Sequence, residues 1–197
     1  MYSGRLCFIF LTLVFCVARA GMAAPACSVR EKAPKTAHTF AKAGDQDTWR
    51  DYTSTGLIPE LKLDSGMSAQ FWQHKDKGQS VYTVQPGQDF TTYTRYCFSG
   101  EGALEQVDFE VRTPLGWGHR IEGSIAGNDF NVNAAAFFNL ENGKEIPKPR
   151  GVGEAPAALR PTIYLKSSDL PFASLLPVPG NPGKGKKQAP AYASAFR

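Results

Sequence analysis

Two acidic side chains, Asp108 and Glu110, alternate with the apolar residues Val107, Phe109 and Val111. On an extended strand alternate residues share a face, which sets the two carboxylates about 7 Å apart. That separation lies within the range of about 6.5–9.5 Å between the acid and the base of an inverting glycosidase. The solvent face of any half-buried strand gives the same alternation. The pattern therefore predicts a strand with its apolar side inward and its charges outward, and we assign no catalytic residue.

Metal-binding chemistry finds little support. The three histidines, His38, His74 and His119, are far apart and show none of the short spacings that metal ligands on one element share. The acidic run at 45–51 lacks the glycine and the glutamate that a calcium loop needs at its sixth and twelfth positions. Neither a G-x-S-x-G nor an S-x-x-K motif occurs. We predict no metal site and no cofactor.

One aromatic residue, Trp117, is the candidate for ligand binding. It stands between Gly116 and Gly118. Glycines beside a large ring leave it little lateral cover and let a ligand come close to the backbone. An exposed flat ring can stack on a sugar or a peptide. Core packing accounts for most of the other aromatic residues, so Trp117 alone is singled out.

The first 20 residues have the pattern of a secretory signal peptide. Arg5 precedes an uncharged apolar run at 6–18, and the small residues of Ala18-Arg19-Ala20 follow. The run is too short to span a bilayer as a stable anchor. Cleavage is expected before Gly21, with a second option as late as residue 24. We predict a periplasmic or extracellular protein without a transmembrane segment in its mature chain.

Two cysteines remain once the signal peptide has left. Cys27 and Cys97 are then the only pair, because Cys7 and Cys16 belong to the signal. In an oxidising compartment such a pair forms a disulfide. The closed loop of about 70 residues contributes roughly 4 kcal/mol in the chain-entropy model. The residues before Cys27 make a poor lipidation motif.

Period-two alternation dominates the middle of the chain. The runs at 90–98, 107–112 and 117–125 alternate between apolar and polar residues, and turn signals such as Asn142-Gly143 separate them. No helical period intervenes. The sequence predicts one all-β, mainly antiparallel domain at 45–169, sandwich-like or barrel-like, with at most one or two short helices.

The segment at 21–44 precedes this domain and has a different spacing. Ala37, Phe40 and Ala41 recur at helical intervals between Pro34 and Gly44. We therefore predict one short helix there.

The segment at 170–197 is rich in proline, glycine and lysine and shows no periodicity, which is typical of a disordered tail. Its cations, Lys184, Lys186, Lys187 and Arg197, account for the whole formal net charge of +4. The rest of the chain is electrically balanced, so we predict no nucleic-acid partner.

These observations favour a function in binding. The leading hypothesis is an exported β-rich protein without catalytic activity that recognises a partner protein or an envelope polymer. The alternative is a hydrolase or carbohydrate-binding domain that acts on envelope polymers. The identity of the partner and the oligomeric state stay open at this point.

Overall fold

A computed structural model describes residues 27–28, 31–42, 48–54, 66–75, 78–152 and 160–177. The predicted signal peptide and the larger part of the predicted tail, 178–197, lie outside the described residues. Within the described part of the chain, no helix has the length and apolar character needed to cross a membrane.

Nine strands of the described residues form one open sheet in the order β2-β1-β3-β4-β5-β6-β7-β8-β9, and all neighbouring strands pair antiparallel. The prediction of an all-β, mainly antiparallel fold is confirmed. Its barrel-like form is wrong, because the sheet is open rather than closed. Among the described residues, two 3₁₀ turns follow the sheet, at Ser167–Asp169 and Ala173–Leu175. The strands are β1 His38–Lys42, β2 Arg50–Asp51, β3 Met67–Gln73, β4 Gln79–Pro86, β5 Thr91–Phe98, β6 Leu104–Arg112, β7 Trp117–Ala126, β8 Asp129–Asn139 and β9 Glu145–Ile146.

Strands β3 to β9 follow one another as a meander because short turns join them. Gly116, Gly127 and Gly143 lie between successive strands from β6 to β9 and adopt positive φ angles of 82°, 66° and 70°. This left-handed backbone costs glycine no steric penalty. The turns therefore bring each strand back beside the one before it.

One face of the sheet carries the hydrophobic core. Val107, Phe109 and Val111 on β6 are buried there, as the alternation predicts. Phe71 and Val81 continue the same face on β3 and β4. We call this side the core face, and the other side of the sheet the ladder face.

The C-terminal segment 160–177 covers the core face, which corrects the sequence analysis. The predicted tail was to begin at residue 170, yet Leu170 is 4% exposed and Phe172 is fully buried. The ring of Phe172 packs on Phe40 and Trp49, with centroids 5.3 and 4.8 Å apart. The prediction is wrong for residues 170–177 because spaced apolar side chains without periodicity can still fill a core when a sheet lies opposite them.

The short helix predicted within 21–44 is also wrong. Residues His38–Lys42 form β1, which lies between β2 and β3. Phe40 and Ala41 point to opposite faces of the sheet and are both buried. Pairing on both sides outweighs the weak helical preference of so short a run, so the sheet begins before the predicted domain start at residue 45.

The predicted disulfide between Cys27 and Cys97 is present, with the two Cα atoms 5.7 Å apart. Both cysteines are buried. The bond fastens the chain before β1 to β5, near the centre of the sheet.

Candidate functional site

Asp108 and Glu110 lie on the ladder face of β6, opposite the core, but they are not open to solvent. They are 7% and 6% exposed because arginines from neighbouring strands cover them. Glu110 accepts hydrogen bonds from Arg112 and Arg120. Arg120 Nε also lies 3.6 Å from Asp108 Oδ1. The two carboxylates thus belong to an ion-pair network across β5, β6 and β7.

The guanidinium groups of this network cover the aromatic rings beside it. Arg95 lies over Tyr82 at 5.0 Å from the ring centroid, and Arg112 lies over Tyr93 at 4.8 Å. Arg120 makes the same cation–π contact with a phenylalanine of β8 at 5.4 Å. A flat ligand would have to displace these arginines to stack on the rings.

The two carboxylates differ in their electrostatics. Burial raises the pKa of Asp108, and the nearby Arg120 offsets only part of that effect. Burial alone would also raise the pKa of Glu110, but hydrogen bonds from Arg112 and Arg120 outweigh it and hold that pKa below its usual value. A hydrolytic acid–base pair needs access for substrate and water, and both groups are covered. The arrangement favours a structural role for the pair.

Trp117 begins β7 and is half-buried, with its ring edge-on to Phe137 at 5.7 Å. The local structure explains why glycine occupies both flanking positions. Gly116 forms the turn before the strand with a positive φ, and the ring of Phe138 occupies the space where a Cβ of Gly118 would lie. The ligand-binding role of Trp117 stays a prediction.

The three histidines do not come together. His38 is on β1, His74 follows β3 and His119 is on β7. His74 lies 3.4 Å from Glu31 and 2.7 Å from the hydroxyl of Ser80. Burial lowers the pKa of His119, which favours its neutral form. Among the described residues no group of three metal-ligating side chains converges.

A cleft of about 310 Å³ opens on the core face, between strands β3–β6 and the C-terminal segment. Its floor is buried, since Thr94, Phe109 and Phe172 are each at most 6% exposed. The side chains and backbone around it come from both the sheet and residues 160–172. They are Met67, Thr83, Gln85, Pro86, Gly87, Phe90, Thr92, Thr94, Tyr96, Phe109, Arg160, Thr162, Tyr164, Leu170, Pro171 and Phe172.

Two tyrosines hold the C-terminal wall of the cleft against the sheet. The hydroxyl of Tyr96 donates a hydrogen bond to the carbonyl oxygen of Thr162 at 3.0 Å. The rings of Tyr96 and Tyr164 pack at 5.7 Å. Burial raises the pKa of both phenols, so they remain protonated and serve as neutral hydrogen-bonding groups.

Among the described residues that line the cleft, Arg160 alone carries a charge, and none is acidic. Arg160 is exposed at the rim and makes no ion pair with the described residues. Threonine hydroxyls and the amide of Gln85 add polar groups beside the apolar floor. The cleft can therefore hold an apolar body and present a cation to an anionic group.

Sequence reasoning missed this cleft, although a signal for half of it exists. The alternation of Phe90, Thr92, Thr94 and Tyr96 places them on one strand face, and the structure confirms that they share the cleft. The other half comes from residues 160–172, about 70 positions later. Nothing in the local sequence pairs the two.

Comparison with protein-family models, with curated proteins and with solved structures finds no match to this chain. The evidence on function therefore comes from the open antiparallel sheet and from the cleft between it and the C-terminal segment.

Proposed function

We propose that this protein is an exported binding protein that holds a small amphipathic anion in the cleft between the sheet and the C-terminal segment. The carrying observation is that Arg160 is the single charged residue among the sixteen described residues that line the cleft. The ligand is an envelope component or another small molecule met outside the cytoplasm.

The shape of the cleft supports a compact ligand. Its volume of about 310 Å³ is at the lower end of the range in which small-molecule sites fall. Phe90, Phe109 and Phe172 supply apolar surface that favours an aromatic or short aliphatic body. Thr83 and Thr92 are half-buried around the cleft and can bond hydroxyl or carbonyl groups of a ligand.

The charge of the rim supports an anionic group on that ligand. A guanidinium can donate two parallel hydrogen bonds to a carboxylate or a phosphate. None of the described residues that line the cleft is a carboxylate that could compete for Arg160 or repel an anion.

Two observations support export. The chain begins with the pattern of a signal peptide, and the disulfide between Cys27 and Cys97 fits an oxidising compartment. The ladder face gives less support to the carbohydrate-binding alternative, because arginines cover the rings of Tyr82 and Tyr93.

Titration calorimetry with a matched pair of probes, a naphthoate and the corresponding naphthamide, tests the proposal. We expect the wild-type protein to bind the carboxylate more tightly, and Arg160→Gln to reduce that binding about tenfold or more while it leaves amide binding unchanged. Thr83→Phe, which fills the cleft, should abolish binding of both probes.

Arg150→Gln is the matched control, because Arg150 is exposed and does not line the cleft. It should bind both probes like the wild type. Equal affinity of the wild type for acid and amide would refute the anionic ligand. Binding that survives Thr83→Phe would place the site elsewhere.

A further inference from the structure

The outer edge of β8 is open along most of its length. β8 pairs with β7 from Asp129 to Asn139, but β9 reaches only Phe137 and Phe138. Among the described residues no other strand pairs with positions 129–136 on that side. Those positions are exposed apart from the half-buried Phe130 and Ala136.

A proline ends β9, so β9 does not pair with the rest of the outer edge of β8. Pro147 follows Ile146, and without an N–H it cannot continue the ladder. The amide of Asn139 donates to Lys144 on the outer side at 2.9 Å. In an antiparallel strand alternate residues direct their backbone groups to the same side. Ala135 therefore offers its amide and carbonyl outward.

This edge lacks the side chains that usually prevent strand pairing. Edge strands are commonly protected by lysine, proline or an inward charge, and positions 130–136 contain none of these. Val132 is 56% exposed. One irregularity is present: a register shift leaves Asn133 without a partner on β7, and its side chain bonds Ser124.

We propose that a second copy of this chain adds its β8 to this edge, antiparallel and about a two-fold axis. The register that fits the open stretch sets position 129 of one copy opposite position 136 of the other. Asp129 is the single charge on the stretch and then faces Ala136, so no like charges oppose each other.

Charge complementarity at both ends of the added strand supports this occupant. In this register the added strand starts next to Ile146, where β9 ends, and the exposed cations Lys148 and Arg150 follow Ile146 by two and four residues. Asp129 of the incoming copy arrives beside these cations. A two-fold axis repeats the contact at the other end, as in any isologous interface.

Sedimentation velocity of the mature protein over a series of concentrations tests the proposal. We expect a concentration-dependent dimer in the wild type. Val132→Lys should weaken the dimer on the order of tenfold, because the axis brings the two new charges close together. Asp129→Asn should weaken it less.

The control is Leu115→Lys, which places the same charge on a residue 79% exposed in the turn between β6 and β7. It should leave the dimer unchanged, and circular dichroism should show that both lysine variants fold. A wild type that stays monomeric at every concentration overturns the proposal. Equal effects of the two lysine variants overturn it as well.

Discussion

At the scale of single residues, Asp108 and Glu110 show how two carboxylates on one strand face can have pKa values shifted in opposite directions. Both are on β6, two positions apart, and both are buried. Glu110 receives hydrogen bonds from two arginines, whereas Asp108 Oδ1 is buried without a hydrogen-bond partner. Burial raises the pKa of Asp108, whereas at Glu110 the hydrogen bonds to the ionised form outweigh burial and reverse the direction of the shift.

Neutralising the two acids should therefore have opposite effects on stability. Glu110→Gln removes the charge that Arg112 and Arg120 bind, and we expect it to lower the free energy of unfolding by about 1–2 kcal/mol. Asp108→Asn removes a poorly compensated charge while it keeps a side chain of similar size, so we expect the free energy of unfolding to stay the same or to rise. Urea unfolding at pH 7 measures both, and a larger loss from Asp108→Asn than from Glu110→Gln contradicts this account.

The same contrast predicts a pH dependence. The pKa of Glu110 is lowered in the folded state. The stability that ionised Glu110 contributes is therefore fully present above its pKa in the unfolded chain, and it is lost as the pH falls through its pKa in the folded state. The pKa of Asp108 is raised, so protonation favours the folded state and acidification relieves its cost. Between neutral and acidic pH, Asp108→Asn should lose more stability than Glu110→Gln. Unfolding free energies measured across that range check the order.

At the scale of elements, the C-terminal segment is part of the core rather than an appendage. Ser167 donates its amide to Gly102 at 2.8 Å, and Leu104 donates to Leu165 at 2.9 Å. These bonds anchor the segment beside the turn between β5 and β6. Leu170 and Phe172 then fill the core face, and the cleft lies between this segment and strands β3–β6.

Phe172→Ala should consequently lower the free energy of unfolding by about 3–5 kcal/mol, as expected for a fully buried phenylalanine. Deleting residues 170–197 should destabilise the protein at least as much. Deleting only 178–197 should leave the melting temperature nearly unchanged, because the composition of that stretch predicts a disordered tail. Thermal unfolding of the three variants tests this order, and a neutral Phe172→Ala would refute the role of the segment in the core.

At the scale of the whole molecule, the disulfide bears on both the location of the protein and its stability. It joins Cys27, before the first strand, to Cys97 on the central strand β5 across a separation of 70 residues. A cross-link over a loop of that length restricts the unfolded chain strongly. An extended open sheet with long-range pairing benefits from such a restriction.

The double variant Cys27→Ala, Cys97→Ala should lose about 2–4 kcal/mol of unfolding free energy. Denatured mature protein without reductant should contain no free thiol. Cys97 is fully buried, so part of any loss reflects packing. Reduction of the wild-type protein separates the two effects, because it breaks the bond without removing the sulfur atoms. Two free thiols in the untreated protein would refute the disulfide in solution.

The sequence by itself determined the features that depend on neighbouring residues. The alternation at 107–111 predicts a strand with an apolar inner face, and the structure confirms it. The disulfide is predicted by elimination, because two cysteines remain after the predicted signal peptide. Turn residues such as Asn142-Gly143 mark the ends of strands, since glycine alone adopts positive φ there at no cost.

Only the tertiary structure decided which distant residues meet. The helical spacing around Phe40 yields to pairing with β2 and β3, and the apolar residues of 170–177 pack on a core formed by residues between 40 and 121, about 50 to 130 positions earlier. Two of the arginines that cover Asp108 and Glu110, Arg95 and Arg120, come from β5 and β7, and the cleft lies between β5 and Arg160. Local propensities differ by fractions of a kcal/mol per residue, whereas burial of one large side chain is worth about 1.5–3 kcal/mol. Long-range packing therefore prevails wherever the two disagree.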